Sequence, residues 1–179
     1  MLMAATIAVN EAGAGERDRC VGAPDGELFD LHLDRSRVAM GQLAGVARAE
    51  SLAIVTEVAD LCRYDFPVAE YDLIVGATIL DHLDGPCRQR LPAALVSALK
   101  PAGRVYFEVF TTADPGWRRP AAGGCSETAG PVRHYFAAGE LRALFPQLTI
   151  HDYREELRED RAHGAPHWHG LAMLAGVRD

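Results

Sequence analysis

One stretch in the middle of the chain, from Glu70 to Phe110, limits the possible folds more than any other. It opens with Tyr71-Asp72-Leu73-Ile74-Val75, whose unbroken apolar run, Leu73 to Val75, suits a strand buried on both faces. It closes with Arg104 to Phe110, rich in β-branched and aromatic residues, a second strand. Between them Leu91, Leu95 and Leu99 recur every four residues, the spacing of one helix face. Pro92 fits this helix only in the first turn, where a missing N–H costs nothing. Lys100-Pro101 stops the helix and Gly103 supplies the turn into the next strand. Strand, helix and strand make a right-handed βαβ unit, so the two strands are expected to be parallel neighbours.

The flanking chain reads as more of the same alternation. Thr6 to Val9 is a first strand and runs into Glu11-Ala12-Gly13-Ala14-Gly15-Glu16-Arg17. Two glycines after a strand allow a tight turn and close backbone approach of a ligand; a plain surface turn uses them equally well. Arg17 to Ala23 should be a first helix but is polar and short, and Pro24-Asp25-Gly26 is a turn. Leu28 to Leu33 alternates apolar and polar residues, a second strand, with Asp34 at its end. Ser36 is a good N-cap for a helix from Arg37 to about Ala49, with Ala39, Leu43, Val46 and Ala47 as its apolar face. Leu52 to Val58 is a third strand, followed by Ala59-Asp60-Leu61. Thr111 to Val132 is a long Gly- and Pro-containing stretch, read as a substrate-side lid or an irregular excursion. Gly139 to Phe145 is a short amphipathic helix. Leu148 to Tyr153 and Gly170 to Val177 are the last strands, joined by a charged connection without a second apolar helix, which predicts a hairpin and an antiparallel final strand.

Tyr71 to Val75, the helix after it and Leu99-Lys100-Pro101-Ala102-Gly103 resemble the fourth strand, following helix and fifth strand of class I S-adenosylmethionine (SAM) methyltransferases. The resemblance is greatest to their small tellurite-resistance and thiopurine-type branch. It covers roughly residues 6 to 178. The usual turn in that family is Lys-Pro-Gly-Gly; here Ala102 replaces the first glycine. The resemblance implies an α/β, Rossmann-like fold: a mostly parallel seven-stranded sheet, an antiparallel C-terminal strand and helices on both faces. It implies one domain over residues 1–179, and SAM as cofactor. The family's acid-x-Gly-x-Gly-x-Gly turn is matched at Glu11, Gly13 and Gly15, which would approach the methionine part, but Arg17 stands where the third glycine belongs. Asp34 would accept hydrogen bonds from both ribose hydroxyls, as an acceptor-only carboxylate can; otherwise it merely begins a turn. Asp60, with the backbone N–H of Leu61, would hold the adenine, against the plainer reading of a surface turn. Ala77 and Thr78 would line the methyl end. Few residues precede the first strand, where the family carries one or two helices that close over the cofactor, so the N-terminus reads as truncated.

The net charge of −7 over 179 residues offers no basic patch for nucleic acid. The N-terminal apolar residues are too few to span a membrane and lack a basic n-region. Four widely spaced cysteines, Cys20, Cys62, Cys87 and Cys125, with no Cys-x-x-Cys, suggest a reduced cytoplasmic protein. Asp81 and His82, just after the fourth strand, are the candidate catalytic pair, since histidine suits proton transfer near neutral pH; a capping Asp beside a half-exposed His is the alternative. Trp117, Glu127, Arg133, His134, His163, His167 and His169 are substrate-side candidates. His163, His167 and His169 form His-x3-His-x-His, which can ligate zinc, but no cysteine or carboxylate at a conventional spacing completes a shell, so no metal is expected. The expected activity is methyl transfer from SAM to a small-molecule nucleophile such as a thiol or an oxyanion. The competing expectation is a degenerate, non-catalytic methyltransferase-like binding or scaffold protein. Nucleic acid and membrane are not expected partners.

Overall fold

The computed structural model describes residues 5–10, 28–117, 133–161 and 165–179. The elements run β1 (Ala5–Asn10), β2 (Leu28–Asp34), α1 (Arg37–Glu50), β3 (Ile54–Val58), β4 (Tyr71–Ala77), a single 3-10 turn (Leu80–His82), α2 (Gly85–Ala98), β5 (Leu99–Phe110), α3 (Glu140–Ala143), β6 (Leu148–Asp160) and β7 (His167–Arg178). The strands form one sheet in the order β3-β2-β1-β4-β5-β7-β6. β2 and β3 are parallel, as are β4 and β5. β7 lies antiparallel between β5 and β6. The crossover from β2 to β3 moves toward one edge of the sheet and that from β4 to β5 toward the other. Sharing the usual hand, the two place α1 and α2 on opposite faces.

β1 departs from the expectation of a sheet in which only the last strand is reversed. It pairs antiparallel with both β2 and β4, Asn10 facing Leu28 and Ala5 facing Leu33 and Gly76. The reason is in the connection. A parallel neighbour needs a crossover, usually a helix with an apolar face to lay on the sheet. Residues 17–23 carry no such face, whereas an antiparallel neighbour returns along the same edge without one.

α1 follows its sequence signals. Ser36 caps it, its hydroxyl accepting from the Ala39 N–H at 3.1 Å, and Ser51 closes it in the left-handed conformation. Met40 and Ala47 are buried, but Val46, expected on the apolar face, is 53% exposed. In α2 the Pro92 expectation fails. Asp84 caps the helix through the Cys87 N–H and Pro86 occupies the first turn, so Pro92 falls in the interior. There it removes one helix hydrogen bond and crowds the carbonyl of Arg88. Its ring is buried with Leu91 and Leu95, and that packing offsets the loss. The turn into β5 is tighter than an ordinary strand start. Ala102 has φ 63°, where a glycine is usual, and a Cβ on Gly103 would lie 2.8 Å from the Lys100 carbonyl oxygen.

The core gathers on the central strands. Leu33, Ile74, Leu99, Val105 and Leu174 are buried with Phe107 stacked on Phe145 at 4.8 Å between ring centroids. Cys62 and Cys87 form a disulfide with a Cα–Cα distance of 5.4 Å, correcting the reduced reading for these two; Cys20 and Cys125 lie outside the described residues. The bond ties the loop after β3 to the first turn of α2. Among the described residues no helix is long and apolar enough to cross a membrane.

Candidate functional site

β2, β3, β4 and β5 all run one way, so their C-terminal ends share one edge of the sheet, the edge at which open α/β sheets place ligands. Asp34 ends β2 there. Its Oδ1 accepts from the Ser36 N–H at 2.6 Å, and its backbone carbonyl accepts from the Ala59 N–H at 3.0 Å. One carboxylate oxygen thus fixes the turn into α1, and the other accepts nothing among the described residues. Asp60 follows β3 closely. Its Oδ1 accepts from the Cys62 N–H at 3.0 Å, an Asx turn. The Leu61 side chain is not at the surface: it packs in the core, so any contact of Leu61 with a ligand would be through its backbone.

Between Asp34 and Ala77 the reversed β1 presents its first residue at this edge, not its last. Asn10, from which the chain leaves β1, faces Leu28 at the opposite edge. Glu11, Gly13, Gly15 and Arg17 lie outside the described residues. The expected meeting of the glycine turn with Asp34 therefore has no support from the strand that would deliver it.

After β4, Ala77 is exposed and Thr78 takes φ 53°, its N–H donating to the Glu108 carbonyl at 2.7 Å. Asp81 and His82 occupy the 3-10 turn. Asp81 is fully buried, so its carboxyl meets the protein: Oδ2 accepts from the Phe110 N–H at 3.2 Å and Oδ1 has no partner among the described residues. Burial pushes its carboxyl up to about 7, against the pull of the Phe110 N–H and the Arg133 guanidinium. The Asp81 carbonyl accepts from the His134 N–H at 2.7 Å. Asp81 thereby joins the exit of β4 to the end of β5 and to the segment before α3, a positioning role in place of the expected catalytic one. Both ring nitrogens of His82 are buried and without a hydrogen-bond partner among the described residues, and burial, then Arg133, lowers its pKa. It is a neutral imidazole with an uncommitted basic nitrogen.

Arg133 lies over the Phe110 ring at 4.0 Å, a cation–π contact. His134 pairs with Glu140, Nε2 to Oε1 at 2.7 Å, and the other Glu140 oxygen accepts from the Ala137 N–H, in the turn before α3. These two candidates pack over the end of β5. Trp117 is half exposed, its N–H donating to the Asp114 carbonyl at 3.0 Å. Glu127 and His163 lie outside the described residues.

The sequence reading missed Asp114, Glu108 and Asp160. Asp114-Pro115-Gly116 is a turn signal, but nothing local announces that its buried carboxylate also receives His169. Its Oδ2 lies 2.9 Å from His169 Nδ1 and accepts from the Gly170 N–H at 3.1 Å, while Oδ1 accepts from the Gly116 N–H at 2.6 Å. A Cβ on residue 170 would sit 2.3 Å from the Asp114 nitrogen, so only glycine lets this turn close on β7. Glu108 pairs with Arg158 at 2.8 Å. Asp160, opposite His167 across the hairpin, is the carboxylate that the sequence reading found missing beside the histidines. Thr78, Glu108, Phe110, Arg158, Asp160 and His169 help line a cleft of about 240 Å³ at the ends of β4 and β5.

The sequence matches no protein-family model, and a comparison with curated proteins finds no match. Solved structures do share the fold. TehB from Haemophilus influenzae superposes with a TM-score of 0.65 at 16% identity, over 82% of this chain and 49% of that one. A SAM-dependent methyltransferase from Methanosarcina mazei gives 0.63 at 19% identity, over 82% and 80%. The N-methyltransferase NodS from Bradyrhizobium japonicum WM9, in complex with S-adenosyl-L-homocysteine, gives 0.57 at 18% identity, over 82% and 64%. The chain thus has the Rossmann-like fold of SAM-dependent methyltransferases, with TehB among its structural neighbours, and spans about half the length of TehB.

Proposed function

We propose that the protein is a SAM-dependent methyltransferase acting on a small-molecule nucleophile such as a thiol or an oxyanion. The observation that carries this reading is the common edge at which Asp34, Asp60, Ala77 and Thr78 follow successive parallel strands of a methyltransferase-like sheet. When bound, the cofactor supplies the reactive sulfonium methyl group. The protein's part is to bind, orient and exclude water. Asp34 would offer its other carboxylate oxygen to the ribose hydroxyls and Asp60 would hold the adenine, while Thr78 borders the cleft open to a nucleophile. A thiolate or an oxyanion needs no base, and the buried ring nitrogens of His82 offer none to the cleft.

Asp34→Ala tests the reading. It removes hydrogen bonds to a charged group, worth about 1.5–3 kcal/mol each, so the affinity for S-adenosylhomocysteine measured by calorimetry is expected to fall at least tenfold. An unchanged Kd in a folded variant would take Asp34 out of the site. The wild-type affinity itself is expected to be weak, about tens of micromolar or worse, near −6 kcal/mol.

A second reading, a non-catalytic methyltransferase-like binding protein, is favoured by one observation. β1 ends at Asn10, at the edge opposite Asp34, so the strand itself does not end at the edge where the methionine part would be held. That reading expects no saturable heat with either SAM or its demethylated product.

A further inference from the structure

We propose that Asp160, His167 and His169, at the turn end of the β6–β7 hairpin, form a binding site for a divalent transition-metal ion of the zinc class. The inference goes beyond the methyltransferase reading and does not depend on it. Each of the three offers one ligand atom, and these atoms lie within 4.8 Å of one another. The hairpin register explains why. Asp160 faces His167 directly, and His169 is two residues along the same strand, so all three share one face of the pleat.

The hydrogen bonds around the two histidines set both tautomers for ligation. His167 Nδ1 lies 3.0 Å from the Ala165 carbonyl oxygen. His169 Nδ1 lies 2.9 Å from Asp114 Oδ2, a carboxylate already accepting two backbone N–H groups. Carbonyl and carboxylate oxygens only accept, so each Nδ1 carries the proton and each Nε2 keeps its lone pair. The Asp114–His169 contact has the form of the carboxylate–histidine–metal relay that orients ligating imidazoles. His169 Nε2 and Asp160 Oδ2 are 3.9 Å apart, too far for a hydrogen bond and about half an ångström from the ~3.4 Å that separates two tetrahedral ligands at about 2.1 Å from a metal. Tetrahedral ligands at about 2.1 Å from a metal stand ~3.4 Å apart, so the widest pair has to draw in by up to ~1.4 Å, a shift that falls to His167, the most exposed of the three.

The surroundings accommodate a cation. The two neighbouring guanidiniums are each held by a carboxylate of their own, Arg158 by Glu108 at 2.8 Å and Arg161 by Glu159 at 2.7 Å. Asp160 and His169 line the cleft beside Thr78, so an ion bound by three protein ligands would turn its open position toward that cleft. Two imidazoles and one carboxylate are a borderline donor set, suited to zinc, cobalt or iron(II) in preference to calcium or magnesium.

Titrating the tag-free full chain with zinc chloride by calorimetry, and with cobalt(II) by visible absorption, tests this. One equivalent is expected to bind, with cobalt giving the visible bands of a low-coordinate site. His169→Ala and Asp160→Asn should each weaken zinc binding at least 100-fold. Asp114→Asn, which touches no ion, should keep the stoichiometry and cost 10- to 100-fold. If removing His169 or mutating Asp114 disturbs the hairpin, His167→Ala, at an exposed position, serves in their place and should show the same 100-fold loss. No stoichiometric binding, or binding that Asp160→Asn and His167→Ala leave unchanged, would overturn the site. Neither outcome bears on the affinity for S-adenosylhomocysteine, so failure here is separable from failure of the proposed activity.

Discussion

Asp81→Asn is expected to make the protein more stable at pH 8 than the wild type and to remove most of that difference at pH 4. Asp81 is fully buried, one carboxylate oxygen without a partner among the described residues and the other accepting a single backbone N–H. Burial raises its pKa from 3.8 to about 7, with Arg133 opposing the shift and Glu108 adding to it. Below pH 3.8 the folded and unfolded chains both hold the proton, and the residue costs nothing. Between 3.8 and about 7 the unfolded chain releases its proton while the folded chain keeps it, so stability falls as pH rises. Above about 7 the loss is complete and corresponds to on the order of 4 kcal/mol. Asparagine has the shape of the neutral acid, keeps an acceptor for the Phe110 N–H and does not ionise. Denaturant unfolding of both proteins across pH 4 to 8 checks this, because titrations common to both cancel in the difference. A difference that does not grow with pH would mean that Asp81 is ionised in the folded protein with partners that stabilise its charge. Should Asp81→Asn also lose activity at pH 8, the loss must come through the position of His82 or the end of β5.

What could be read in the sequence was what is encoded locally. Ser36 followed by the α1 pattern, and the β4–α2–β5 unit with its leucine spacing, depend on residues within one or two turns of each other. Pro92 misled because its cost is local, whereas its compensation is packing beside Leu91 and Leu95. Arg154 to Asp160 read as a charged connection because charge alternating along a strand suggests solvent. In the fold it belongs to β6, the edge strand, where exposed charges are normal and discourage pairing with another chain. The direction of β1 turned on a helix that the sequence does not supply. The site was least legible of all. Asp34 and Asp60 are candidates through the resemblance to methyltransferases, whereas Asp114 meets His169 across 55 residues of chain and no local pattern marks that pairing. Asp160 lacked a familiar motif spacing to His167 because a hairpin, not a helix or a short loop, brings them together.

Reducing the Cys62–Cys87 bond is expected to lower the stability by roughly 3.5 kcal/mol, the loop-closure entropy released to the unfolded chain by a cross-link over a separation of 25 residues. For a chain of this length that corresponds to a fall in Tm of roughly 7–14 °C. Cys87 is in the capped first turn of α2 and Cys62 in the turn set by Asp60, both fixed by their own hydrogen bonds, so the folded geometry should survive reduction and the loss should come through the unfolded state. Thermal unfolding with and without dithiothreitol measures it, and a Cys62→Ser/Cys87→Ser double variant should match the reduced protein and ignore the reductant. Equal midpoints in both conditions, or prompt alkylation of both cysteines before reduction, would show that the bond is not present in solution. The same measurement bears on where the protein works. Disulfides persist in oxidising compartments and are rare where thiols are kept reduced. If the protein acts in the cytoplasm, it does so without this contribution, and the Asp60 turn that is proposed to stand beside the adenine loses its covalent tie to α2. Peptide-resolved thiol labelling of acid-quenched cells decides between the two. Blocked Cys62 and Cys87 would place the protein in an oxidising compartment, and free thiols would mean that cofactor affinity must be measured on the reduced protein.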